Sequence, residues 1–151
     1  GLSVILLLVF MISSCDLSST YEEDIDFKEG FWHMDSLATF NFEAADEPQN
    51  IQVKLRSNLS YPFYNLYLKM ELSDSTGSVL QDTLIGFDLY DKKTGKPLGD
   101  GNSIYQLKKT ALEAFPFPYE GKYQVQLAQY MRRVELPGIL SAGIRIASTE
   151  N

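Results

Sequence analysis

From residue 38 onward the chain alternates between apolar and polar side chains with a period of two. Ala38, Phe40 and Phe42 stand opposite Thr39, Asn41 and Glu43 in phase, and Ile51, Val53 and Leu55 alternate with Gln52, Lys54 and Arg56. Leu66, Leu68, Met70 and Leu72 repeat the pattern, followed by Ile85, Phe87 and Leu89, then Tyr123, Val125 and Leu127, then Leu140, Ala142, Ile144 and Ile146. Each run puts one apolar face on an extended segment, as a half-buried strand requires. Turn-forming residues separate the runs: Asp46-Glu47-Pro48, Asp74 to Gly77, Thr94 to Pro97, Gly99 to Asn102 and Pro137-Gly138. Short strands at this spacing predict an all-β, single-domain, antiparallel two-sheet β-sandwich over residues 31–148. Residues 104–115 are ambiguous. Lys108, Lys109, Glu113 and two alanines favour helix by propensity, whereas Tyr105, Leu107, Ala111 and Phe115 fit an imperfect strand. The expectation there is a strand or a short irregular piece, ended by Pro116 and Pro118.

The N-terminal pattern is different. Leu2 to Ile12 carries no charge, and small residues follow it. A transmembrane helix needs about 18–20 apolar residues, so this run suits the core of a secretory signal peptide instead. Ile12-Ser13-Ser14-Cys15 resembles a lipobox, the cleavage word of bacterial lipoproteins. That resemblance implies removal of residues 1–14 and acylation of Cys15, which then holds the chain to a membrane. Residues 15–30 are rich in Ser, Thr, Asp and Glu and read as a flexible acidic tether. A calcium loop in this segment would need a glycine turn and alternate-position ligands that it lacks.

Charge and composition narrow the chemistry. A formal net charge of −7 disfavours nucleic acid, whose binding rests on neutralising phosphates. With its one cysteine lipidated, the folded part has neither a disulfide nor a thiolate metal site. His33 is the lone histidine, too few for a zinc site, and no nucleophile elbow accompanies it. Gly99-Asp100-Gly101 reads as a hairpin turn, without the third glycine of a dinucleotide loop. Glu43, Glu71, Asp88 and Asp91 leave a facing carboxylate pair open, but carboxylates on the solvent face of strands are the ordinary arrangement. The expectation is therefore a non-enzyme without cofactors. Outward-phase aromatics point to binding, because Tyr and Trp are enriched at interfaces and stack on sugar rings. Trp32, Tyr64, Tyr67, Tyr130 and Arg132 form the candidate interaction surface; Arg132 and Arg133 interrupt an otherwise apolar strand and call for a charge partner or an exposed edge.

A series of local words then resembles a known family. Arg56-Ser57-Asn58 precedes Tyr61-Pro62-Phe63-Tyr64-Asn65-Leu66; Asp82-Thr83 and Pro97-Leu98-Gly99-Asp100-Gly101 follow; Phe115-Pro116 and Gly121-Lys122-Tyr123 come next. Gln129-Tyr130-Met131-Arg132, Leu136-Pro137-Gly138-Ile139 and Gly143-Ile144-Arg145-Ile146 complete the order. Behind a lipobox, this order resembles the gliding motility lipoprotein H family from about Phe31 to Ile146. The resemblance implies a lipid-anchored envelope protein of the gliding and associated protein secretion machinery, on the periplasmic face of the outer membrane. Its partners would be other envelope lipoproteins or motility proteins. The alternative is a glycan-binding or adhesive lipoprotein.

Overall fold

A computed structural model describes residues 21–149 of the chain; residues 1–14, Cys15 and the first part of the acidic segment lie outside the described residues. Eleven strands follow in order: β1 (Tyr21–Asp26), β2 (Phe31–His33), β3 (Ala38–Ala44), β4 (Pro48–Asn58), β5 (Asn65–Asp74), β6 (Val79–Asp88), β7 (Asp100–Gly101), β8 (Ile104–Pro116), β9 (Gly121–Gln129), β10 (Glu135–Pro137) and β11 (Ile139–Ser148). They form a five-stranded sheet β1-β11-β4-β8-β7, a four-stranded sheet β3-β9-β5-β6, and a small β10-β2 pair, with every pairing antiparallel. The all-β sandwich read from the alternation is the observed fold.

The core is the set of inward phases. Phe40, Leu66, Leu68, Met70, Leu72, Val125 and Leu127 of one sheet face Ile51, Val53, Ala142 and Ile144 of the other, all fully buried. Burial of an aliphatic or aromatic side chain stabilises by about 1.5–3 kcal/mol, so these alternating runs supply the main driving force. One phase differs from expectation. A bulge between Ile139 and Ser141 resets β11, so Ile139 is buried and Leu140 only partly so. An inserted residue turns the chain after it to the other face.

Segment 104–115 is strand β8, paired with β4 through two register shifts. Neighbouring β4 overrides the helical propensity there, and the shifts explain the imperfect alternation.

Part of the segment 15–30, expected to be a flexible tether, is a paired strand. Tyr21 to Asp26 pair residue for residue with Ile146 to Ser141 as an edge strand. Tyr21 also packs its ring against Phe42 of the other sheet, with centroids 5.5 Å apart. Cys15 precedes Tyr21 by six residues, a reach of at most about 20 Å. Fourteen free residues would have spanned roughly 45–50 Å.

Candidate functional site: an aromatic and arginine cluster at one end of the sandwich

Strand directions assign the two ends. Tyr21, where the chain arrives from Cys15, lies with the ends of β3, β5 and β11 and the starts of β4 and β9. The opposite end carries the start of β5, the end of β9 and the β2-β10 pair. Tyr67 and Tyr130 belong to this second end, seven strand residues from the row of Tyr123, or about 23 Å. The candidate interaction residues therefore lie at the end opposite Tyr21.

Three of the expected aromatics lie at this end. Tyr64, Tyr67 and Tyr130 are 51%, 44% and 57% exposed. The Tyr130 amide donates to the Tyr67 carbonyl at 2.8 Å, and the Tyr64 carbonyl accepts the Leu89 amide at 2.7 Å. Tyr67 is paired with Gly86, where a Cβ would come within 3.4 Å of the tyrosine ring. Glycine thus leaves room for the ring to lie over β6. Exposed Met34 and Val134 adjoin the cluster, joined by a backbone hydrogen bond of 2.9 Å.

Trp32 is a correction. It is fully buried, stacked on Phe27 at 4.6 Å, and donates its indole N–H to the Ser36 carbonyl at 2.8 Å. It is a core residue of the β2 cap and offers no surface to a partner. A three-residue strand has one inward position, and Trp32 takes it.

The arginines are not in a strand either. Residues 130–134 form a bend after β9. Arg132 has φ +58, left-handed backbone that costs a non-glycine residue about 1 kcal/mol. Among the described residues no carboxylate pairs with it. Arg133 lies over the Phe63 ring, 5.5 Å from its centroid, a cation–π contact.

What holds this bend is Gln129, which sequence reasoning missed. The side chain is buried, and its amide nitrogen donates to the carbonyls of Arg133 at 2.5 Å and Trp32 at 3.4 Å. Its amide oxygen accepts the Met131 N–H at 3.0 Å. Met131 in turn places its sulfur 3.3 Å from the Tyr67 amide. The signal was present in the sequence: Gln129 continues the inward phase of Tyr123, Val125 and Leu127, where a polar residue must find partners. A fixed bend with an unpaired arginine at its tip and aromatics beside it suits recognition by surface contact.

The other candidate chemistry is dispersed. His33 accepts the Asp35 amide through Nδ1 at 3.0 Å, closing a local turn. Asp91 accepts the amides of Lys93 and Thr94, and these bonds hold its carboxyl below the usual carboxylate range. Glu71 lies opposite Asp82, Asp88 opposite Asn65, and Glu43 on a different strand opposite Lys122. Among the described residues no three His, Cys, Asp or Glu side chains are grouped to hold a metal ion. A cleft of about 620 Å³ lies at the end next to Tyr21 beside Asn41, Ser73 and Gln124, away from the exposed tyrosines.

The family profile described as GldH lipoprotein matches residues 19–146. A gliding motility lipoprotein GldH homolog of Christiangramia forsetii is 33% identical over 95% of this chain and 92% of its own length. The gliding motility lipoprotein GldH of Flavobacterium johnsoniae is 31% identical over 95% of this chain and 93% of its own length. Among solved structures, the VP2 subviral particle of infectious bursal disease virus aligns with 97% of this chain at a TM-score of 0.40 and 12% identity. The match covers 37% of the VP2 chain.

Proposed function

The chain belongs to the GldH lipoprotein family, and from that premise we propose that it is a lipid-anchored, non-catalytic binding component of a gliding motility and protein secretion assembly. The lipid on Cys15 attaches it to the outer membrane, with the sandwich in the periplasm. Ile12-Ser13-Ser14-Cys15 and the word lipoprotein in the relatives' names support the anchor. Acidic Asp46, Glu47 and Glu120, in the turns at the Tyr21 end, disfavour contact with anionic headgroups. That leaves the opposite end to meet a partner.

One observation carries the binding role: the bend fixed by Gln129, which presents Arg132 in left-handed backbone beside exposed Tyr67 and Tyr130. Rigid aromatics and an arginine are the residue types that dominate protein interfaces. The test is crosslinking in intact cells with Tyr130→Ser and Arg132→Ala chains. Loss of specific envelope partners and of spreading, with the lipoprotein still present at normal level, is the expected result. Unchanged crosslinks and full motility in both variants would remove this surface from the function.

The glycan-binding alternative keeps one supporting feature, the Tyr67 ring lying over Gly86 with a face open to solvent. It predicts glycan-dependent shifts of the tyrosine ring signals and little change in the emission of buried Trp32. A flat response across a glycan array counts against it.

A further inference from the structure

Strand β1 is acidic, lies at a sheet edge, and has two partly buried apolar residues, Tyr21 and Ile25. By composition it is a weak addition to a sandwich. Its fastening is more elaborate than an ordinary edge strand needs. Lys54, on β4, reaches across the intervening β11 to β1: its ammonium lies 2.6 Å from Glu22 Oε1 and 3.0 Å from Asp24 Oδ1. Arg145, on β11, adds a contact to Glu22 at 3.9 Å. The path between Asp24 and Lys54 passes over Gly143 of β11. A Cβ at that position would stand 1.9 Å from the Asp24 carboxylate oxygen and 2.7 Å from the Glu23 backbone carbonyl, so only glycine leaves the gap. The Lys54 side chain is 12% exposed, less screened than a surface lysine. The clamp also answers a cross-strand conflict, because Lys54 sits directly opposite Lys108.

The chain from Cys15 enters at Tyr21, and the proposed partner surface lies at the other end. A pull between lipid and partner therefore runs along the strands. Six register pairs, Tyr21↔Ile146 through Asp26↔Ser141, then carry load together instead of opening one at a time. We propose that β1 is a load-bearing strand, fastened in shear to the sandwich by a clamp of Lys54, Glu22 and Asp24 passing over Gly143. Its function is to transmit force between the membrane anchor and whatever the far end holds, while keeping the leash at six residues. The load direction rests on the proposed function; the clamp does not.

The test uses the full chain without lipid, pulled by a handle on the Cys15 thiol. A second handle goes on cysteine introduced either by Tyr130→Cys at the far end or by Glu120→Cys at the near end. The far-end handle is expected to need a clearly higher first rupture force than the near-end handle. The first rupture should release β1; with the near-end handle the freed strand lengthens the chain by roughly 20 Å or more, whereas with the far-end handle it already lies extended along the pull and adds little. Lys54→Met and Gly143→Ala should lower that force and speed amide exchange in β1 about tenfold, because charge-assisted bonds are lost. Exchange in β5 and β9 should stay as before, which shows that the variants fold. Asp24→Asn is the gentler second variant, with an intermediate effect. Unchanged β1 exchange in all three variants overturns the clamp. Equal rupture forces from the two handle positions, with the exchange effect intact, overturn the load-bearing role and leave the clamp standing; unchanged crosslinks in Tyr130→Ser and Arg132→Ala would separately overturn the far-end attachment.

Discussion

Replacing Gln129 with leucine removes the three hydrogen bonds that organise the bend while keeping side-chain volume. The Arg133 carbonyl, the Trp32 carbonyl and the Met131 amide lose their partner. At roughly 1 kcal/mol net for each bond the loss is about 3 kcal/mol. Arg133 is exposed and Met131 half-buried, so water recovers part of this, and the leucine gains apolar contact with Leu127 and its neighbours. The expected change is a loss of about 1.5–2.5 kcal/mol. Urea unfolding followed by Trp32 emission reads it as a midpoint lower by about 1 M with unchanged slope. Amide exchange at Met131 should rise more than at Val125, since the bend opens locally before the sheet does. A Gln129→Leu chain within about 0.5 kcal/mol of the parent, with Met131 equally protected, would refute the claim that this residue fixes the bend.

Three further outcomes follow from single contacts. Gly138, at φ +84, would place a Cβ 2.2 Å from the Tyr61 amide nitrogen, so Gly138→Ala should cost about 2–4 kcal/mol in urea unfolding; a loss below 0.5 would show that the Tyr61 turn yields freely. Arg132→Gly should raise stability by about 0.5–1 kcal/mol by relieving left-handed backbone yet weaken partner crosslinks, and a destabilised variant would contradict the strain. The bond from Lys54, with Arg145 and Lys108 nearby, holds the Glu22 carboxyl below its usual range despite partial burial. A depressed acid stabilises the fold above its unfolded value of about 4.3 and loses that contribution as pH falls through the lower folded value. Protection of the β1 amides, corrected for intrinsic exchange, should therefore drop across that acid window in the parent chain and stay flat in Lys54→Met. Equal pH profiles would show that the pair contributes nothing.

The alternation of apolar residues made most of the sandwich legible because it is a local property of an extended chain. Phe40, Leu68 and Val125 each declare an inward face without reference to any distant residue. What the pattern hid depends on partners far away in sequence. β1 has carboxylates on adjacent positions and looks like a solvated tether until Lys54 and Arg145 are brought beside it. Segment 104–116 has helical propensity that only pairing with β4 overrides. The bulge at Ile139 shifts a phase that was otherwise read in order.

The same division runs through the candidate site. Tyr64, Tyr67 and Tyr130 are exposed, as expected from the local alternation around them. Trp32 failed because β2 is too short to show a phase at all. Arg132 looked like a charge inside a strand, but β9 stops at Gln129, whose amide captures the backbone of the next turn and ends the pairing. A buried glutamine at a strand end thus does two things at once: it terminates the sheet and sets the direction of the side chains after it. Gly143 has the same dual character at the other end of the clamp. It weakens β11 as a strand, and its missing side chain is what lets Asp24 reach Lys54. Both positions look suboptimal for a sheet on local propensity alone, and both are explained by contacts with groups outside their own strand.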